Sequence, residues 1–490
     1  MSLTGKIGTC LTLLYFLLGS HFLSIAQFGN KINWTEDGNG YFRIRSGDLV
    51  KVSLPEGKET VVIQSQKLVR LDGRPIHIEN FQLTEDFRKI LIYSDSRKVW
   101  RYNTRGNYWV FNLQSNNLVQ LGKNLPTSSL MFAKFSPDGS KVAYVSEHNI
   151  YVEDLSTGNV AQLTGDGTRK LINGTFDWVY EEEFDCRDGF RWSPDSRKIA
   201  YWQIDAKNTR DYLMLNTTDS VYSHLIPVEY PVAGQSPSPF KIGVVDISTT
   251  SKTWMNIPTD PEWQSYVPRM EWAANSEELI IQHLNRKQNQ SDLMVCNVTT
   301  GDAKRIYTEQ DSAWIDILPE WDADYKMGGW DWLNHGQEFL WASEKDGWRH
   351  LYKISRDGKK ENLVTSGMFD VMKISHIDEK GGYVYYMASP DNATQAYLYR
   401  SLLNGKGKPE RLSPINQIGT HSYIISSSGK FSFHSFSNYY TPGAAEWISL
   451  PDHSAVAGHN VYNAIQNSDS TKSNISFFKL KTVDGVEMDG

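Results

Sequence analysis

A short sentence of turn and strand residues recurs along this chain, and it constrains the fold more than any other feature. Phe135-Ser136-Pro137-Asp138-Gly139-Ser140-Lys141-Val142-Ala143-Tyr144-Val145 is followed by Asn149-Ile150-Tyr151-Val152, and Leu155-Ser156-Thr157-Gly158 closes the unit. The same order returns at Arg191-Trp192-Ser193-Pro194-Asp195-Ser196-Arg197-Lys198-Ile199-Ala200-Tyr201. Weaker copies begin at Glu271-Trp272-Ala273-Ala274 and Trp332-Leu333-Asn334-His335-Gly336. In Ser-Pro-Asp-Gly, Pro fixes φ, Asp bonds the local backbone and Gly admits a positive φ, so the segment turns. The apolar run after it reads as an inner strand and the alternating run beyond it as the next strand. Strand, turn, strand, turn at intervals of roughly 45–60 residues is the pattern of β-propeller blades. No long stretch sustains a helical period, and 16 Trp and 25 Tyr among 490 residues fit an all-β chain.

Composition narrows the function classes. The chain is 40% hydrophobic and 22% charged, as expected of a globular protein. Its net charge is −7 and no basic block stands out, so nucleic acid is not an expected partner. Lys6, the mostly apolar residues 7–23 and Ser24-Ile25-Ala26 read as a secretory signal peptide over residues 1–26, cleaved after Ala26. The mature chain is then expected to be secreted or periplasmic, or membrane-anchored if the segment stays uncleaved. Cys186 and Cys296 lie too far apart to imply a disulfide, and no Cys/His cluster has zinc spacing. Neither a metal nor another cofactor is expected.

The richest local chemistry lies at Asp177-Trp178-Val179-Tyr180-Glu181-Glu182-Glu183-Phe184-Asp185, with five acids in nine residues. Buried without a cation, such a cluster would be costly. Acids beside aromatics can hold an ammonium group; a solvated acidic loop with aromatic anchors is the alternative. The run lies between two repeats, where an insertion can project toward a propeller's central space.

Asp-Trp-Val-Tyr-Glu-Glu-Glu closely resembles the glutamate motif of the dipeptidyl peptidase IV family of serine exopeptidases. Trp100-Arg101, Tyr230-Pro231-Val232-Ala233-Gly234 and Asp346-Gly347-Trp348-Arg349-His350 resemble three further segments of that family, in the same order. The resemblance implies that Glu182 and Glu183 bind the free N-terminal amine of a peptide. It implies that Arg101 helps to hold the substrate and that Arg349 lines an outer subsite. Glu181 reads as a structural acid, and Trp178 and Tyr180 as packing anchors. The resemblance also sets the blade count at eight, over approximate stretches 34–66, 80–122, 130–165, 190–250, 268–307, 330–366, 374–412 and 424–465. The propeller domain would then cover residues 27–470.

A serine peptidase also needs a nucleophile, a His base and an orienting acid. The chain has no Gly-x-Ser-x-Gly elbow, so no catalytic residue is assigned within it. Residues 471–490 read as the start of the family's α/β-hydrolase domain, a first hairpin cut inside its turn. The implied whole is a dipeptidyl peptidase removing X-Pro or X-Ala dipeptides, with a covalently linked peptidase domain downstream and a homodimeric full-length form. A tripeptidyl or acylaminoacyl peptidase of the same superfamily would need its acids placed differently. The reading from a different class is a stand-alone, non-catalytic propeller that binds protein partners.

Overall fold

The computed structural model describes residues 32–258, 265–317, 331–441, 443–458, 461–466, 476 and 478–490. The expected signal segment, residues 1–26, lies outside them. No helix among the described residues is long and apolar enough to cross a membrane.

Four-stranded antiparallel sets follow one another along the chain, at residues 33–63, 80–120, 130–162, 190–254, 266–310, 331–363, 373–411 and 420–458, the fourth carrying a fifth short strand, Leu171–Asn173. They fall on the stretches read from the sequence. Within most sets the strands pair in chain order as a simple meander. The second and third sets also join edge to edge, where Gly106 pairs with Leu130.

Buried apolar side chains fill the space between each set and the next. Leu91 and Val110 meet Val142 and Tyr144; Ala143 and Val145 meet Phe190 and Ile199; Trp202 and Ile242 meet Val267 and Leu279. The last set packs on the first through Phe433 and Trp447 against Tyr41, Val52 and Leu54. Tyr41 stacks on Trp447 at 4.2 Å and Trp34 meets the same indole edge-on at 5.6 Å. Such aromatic pairs contribute roughly 0.5–1.5 kcal/mol beyond their buried area. Among the described residues no strand is shared across this seam, so side-chain packing closes the ring. The fold is a β-propeller.

The repeated turn has one construction. The Ser136 hydroxyl donates to Asp138 at 2.6 Å and accepts the Lys141 N–H at 3.0 Å, while Gly139 takes φ +65°. Ser193 and Asp195 repeat it with Lys198, and there Ser196 adopts the left-handed φ of 63°. The turn recurs at Thr84 and Asp86, and at Thr35 and Asp37, which the sequence repeat does not reveal. The Asp138 N–H donates to Ser196 of the neighbouring set, and the Asp195 N–H to Ser276 of the next. Both acids are hydrogen-bonded within their turns.

Two features depart from the sequence reading. The fourth stretch, read as a single blade over 190–250, also sends out a separate hairpin, Asp211–Asn216 with His224–Glu229. Leu213, Leu215 and Leu225 on that hairpin are exposed, whereas Val228 at its base is buried. At the far end the sequence reading puts the chain's stop inside a turn. Instead Thr482 and Val486 close that turn, and Glu487–Asp489 pairs back on Lys479–Lys481.

Candidate functional site

The acidic run forms a short helix, α1, Trp178–Phe184. Its start is fixed by Asp177, whose carboxylate accepts the Tyr180 N–H at 3.2 Å, as an N-cap does. The Ser238 hydroxyl donates to the other carboxylate oxygen at 2.6 Å. Burial pushes the Asp177 carboxyl up, and the Ser238 and backbone hydrogen bonds oppose that rise. Asp185 ends the helix with a left-handed φ of 55°, and the Cys186 N–H returns to the Tyr180 carbonyl at 3.0 Å.

One face of α1 is a root. Tyr180 is wholly buried and its hydroxyl accepts the Val267 N–H at 3.2 Å. Phe176 stacks on Tyr180, and Phe184 meets Tyr266 edge-on at 5.1 Å. Tyr180 and Phe184 belong to the core cluster between the fourth and fifth sets. Trp178 packs on Tyr230 at 4.3 Å, which joins the Asp-Trp-Val-Tyr motif to the Tyr-Pro-Val-Ala-Gly segment. The three consecutive glutamates then diverge, because each helical step turns by about 100°. Glu181 points inward to Arg187 at 3.1 Å, with both side chains buried. Burial pushes the Glu181 carboxyl up and Arg187 counteracts it. Glu181 is therefore a structural acid, while Glu182 is half-buried and Glu183 exposed.

Arg101 reaches Glu182 from another part of the chain. The ten-residue strands Lys89–Lys98 and Asn103–Asn112 carry residues 99–102 at their tip, where Trp100 adopts φ 41°. From that tip Arg101 Nε donates to Glu182 Oε1 at 3.0 Å and Nη2 donates to Oε2 at 2.9 Å. The pairing is two-pronged, which fixes the orientation of the carboxylate. Arg101 is 70% exposed and Glu182 only 17%, so the guanidinium stands on the solvent side. Tyr102 gives the tip a second hold, with the Arg187 guanidinium 4.0 Å from its ring centre.

Glu183 lines a cavity of about 410 Å³ together with Trp178, Tyr230, Val232, Tyr266 and Arg286. Arg286 donates to the Tyr266 hydroxyl at 2.8 Å and to the Gln235 carbonyl at 3.2 Å. The cavity is thus lined by aromatic and aliphatic side chains with one carboxylate and one guanidinium, a mixture suited to a small polar-ended ligand. Tyr102, Arg187, Tyr266 and Arg286 were not singled out by the sequence. They carry no local motif and meet the helix only through tertiary packing.

Arg349 lies apart from these groups. It lines a smaller cavity with Trp314, Trp341 and Lys345, and its Nη2 donates to Asp316 at 2.5 Å and Glu344 at 2.6 Å. Arg101 and Glu182 are brought together, Glu183 shares their helix, and Arg349 occupies a separate acidic clamp.

A model of the dipeptidyl peptidase IV (DPP IV) N-terminal region matches residues 84–443. The inactive dipeptidyl peptidase 10 of Rattus norvegicus is 24% identical over 385 residues, covering 76% of this chain and 47% of that protein. The dipeptidyl peptidase 4 of Trichophyton rubrum is 22% identical over 377 residues, covering 75% and 47%. The chain spans about half the length of the curated relatives it matches. The crystal structure of Porphyromonas gingivalis dipeptidyl peptidase 4 superposes with a TM-score of 0.82 at 23% identity, over 94% of this chain and 64% of that one. The likeness extends to the propeller fold.

Proposed function

The chain belongs to the family of the dipeptidyl peptidase IV N-terminal region, and from that footing we propose that it is the amine-binding, substrate-gating propeller of a serine dipeptidyl peptidase. The observation that carries this reading is the pairing on α1 of one carboxylate oriented by Arg101 with a second carboxylate opening into a cavity. A peptide's N-terminal ammonium has three N–H donors and one positive charge. Glu182 and Glu183 together supply the acceptors and the charge, and Arg101 removes the excess of negative charge at the rim. The ammonium then marks the end of the substrate. A peptide with further residues before that point would have to drive an uncharged backbone into the two acids.

In this reading the Ser, His and Asp of catalysis lie in a peptidase domain covalently joined after the propeller. Its pocket selects Pro or Ala as the second residue, and X-Pro or X-Ala dipeptides are released. Arg349 would face an outer part of the peptide once released from Asp316 and Glu344. The protein would work outside the cytoplasm, secreted or periplasmic. A homodimer of the complete protein is part of the proposal, and the exposed Tyr212, Leu213, Leu215 and Leu225 of the projecting hairpin support such a contact.

The test is to read the encoding locus beyond the codon for Gly490 and assay the longest product on Gly-Pro and Ala-Pro chromogenic amides. A downstream Gly-x-Ser-x-Gly with release of the dipeptide is the expected result. A stop codon at that point, with no activity, would put a partner-binding propeller in its place.

A further inference from the structure

The last four-stranded set holds a buried row of His, Tyr and Glu that the amine site does not use. Strands Thr420–Ile425, Phe431–Ser437 and Ala444–Ser449 put Tyr423 opposite His434 and His434 opposite Glu446. Residues opposite one another share a face of the sheet, and His421, two positions before Tyr423, shares it too. His453 joins them from the turn after the third of these strands. His421, His434 and Glu446 are all buried.

One contact in this row requires a bridging cation. His421 Nε2 lies 2.8 Å from the Gln417 carbonyl, which can only accept, so that nitrogen carries a proton. In its neutral form the His421 ring, packed among Tyr397, Tyr423, His434 and Phe436, then carries its proton at Nε2 alone. Its Nδ1 is therefore an acceptor, and His434 Nε2, 2.8 Å away, must be the donor. A neutral His434 is then left with a lone pair on Nδ1. That lone pair faces Glu446 Oε1 at 3.1 Å. That contact needs one cation between the two atoms, either a shared proton or a metal ion.

The surroundings favour a metal ion in that role. A ring nitrogen of His434, a ring nitrogen of His453 and a carboxylate oxygen of Glu446 all lie within 4.8 Å of one another. The other ligand-capable atoms are held from outside. His434 Nε2 is taken by His421, His453 Nε2 meets the Tyr423 hydroxyl at 2.8 Å, and Glu446 Oε2 accepts the Val461 N–H at 3.0 Å. Outer partners of this kind orient metal ligands and fix their tautomers. We propose that His434, Glu446 and His453 form a binding site for one divalent transition cation, with zinc the best match to two imidazoles and a carboxylate. The site would pin the set that closes the ring, since Glu446 adjoins Trp447. Through Val461 it would also fix the helix α2, Val461–Gln466, that follows the propeller.

The full 490-residue chain tests this directly. It is stripped with a chelator, dialysed against zinc sulfate and analysed for bound metal, and a cobalt-loaded sample is examined for the visible band of a low-coordinate ion. The site predicts one equivalent of zinc per chain and a melting temperature that rises with added zinc. Glu446→Gln, which keeps the volume of the side chain, and His453→Ala should each abolish stoichiometric binding and the zinc-dependent rise. Tyr423→Phe removes only an outer partner and should weaken zinc binding by about 10–100-fold while leaving one equivalent at saturation. Near-ultraviolet circular dichroism identifies variants that fold as the parent does. A parent chain that binds no zinc after loading would overturn the proposal. So would zinc retained equally by the folded Glu446→Gln and His453→Ala variants.

Discussion

The two charged clusters proposed to face substrate each combine one arginine with two acids, yet they are built in opposite senses. At α1 the guanidinium of Arg101 is the exposed member, 70% open, and the carboxylate it orients is 17% open. In the other cluster Arg349 is the sheltered member, 23% open, between Asp316 and Glu344 at 48% and 47%. The first presents acids over a rigid base and adds Glu183 beside a cavity. The second is an arginine held by its own acids, which a ligand must displace. Charge content alone does not make a binding site. Arg101 and Glu182 are paired with each other, as Arg349 is with its two acids, and what sets α1 apart is the exposed Glu183 beside its cavity, the group proposed to meet a cation.

The largest effect should come from removing the base. Tyr180→Ala should destabilise the chain by about 3–5 kcal/mol, because it empties a wholly buried site under α1. Denaturant unfolding reads this, and an unchanged midpoint would break the claim that the helix is rooted in the core. Next, in the protein joined to its peptidase domain, Glu183→Gln should lower kcat/KM on X-Pro amides by roughly 30-fold or more, about 2 kcal/mol or above. Its melting temperature should hardly move, since Glu183 is exposed. Asp177→Ala should cost about 1 kcal/mol of stability through the lost N-cap, measured by the same unfolding experiment. Arg349→Ala should change kcat/KM by less than about 1 kcal/mol, as expected for an arginine in a partly exposed ion pair. A loss larger than that of Glu183→Gln would reverse the comparison.

The smallest effect concerns pH and tests the turns, not the site. Hydrogen bonds from Ser156 and Thr157 hold the Asp154 carboxyl below its usual range, and the Ser248 hydroxyl does the same for Asp246. A carboxylate whose folded pKa is depressed stabilises the fold above its unfolded pKa, and that stability is lost as pH falls through the folded value. Melting temperature should therefore decline gradually below about pH 4. Asp154→Asn combined with Asp246→Asn should flatten part of that decline.

The turns show why so much of the fold was legible. A Ser or Thr, an acid two positions on and a strand after it are local chemistry, and the same atoms bond at each occurrence. Copies at Thr84 and Thr35 were hidden only because Pro is absent and, at Phe87, Gly as well. α1 was harder to read, because seven residues carry less than two full periods of a helix. The projecting hairpin escaped notice because its exposed Leu and Tyr residues look like any buried strand. Glu182, Glu183 and Arg101 stood out through family resemblance, but their geometry did not. Arg101 and Glu182 are 81 positions apart and meet only because a long hairpin overreaches its blade. The His434, Glu446 and His453 group has no sequence signature, because its members lie on neighbouring strands and a turn.

The central claim is that α1 recognises a free amine, and one kinetic ratio tests it most directly. In the protein carrying its peptidase domain, kcat/KM would be measured for a Gly-Pro amide and for its N-acetylated form, in the parent and in Glu182→Gln/Glu183→Gln. The parent should strongly prefer the free amine, and that preference should collapse in the double variant through loss of activity on the free-amine substrate. An undiminished preference in the double variant would contradict the claim, and amine recognition would have to lie elsewhere.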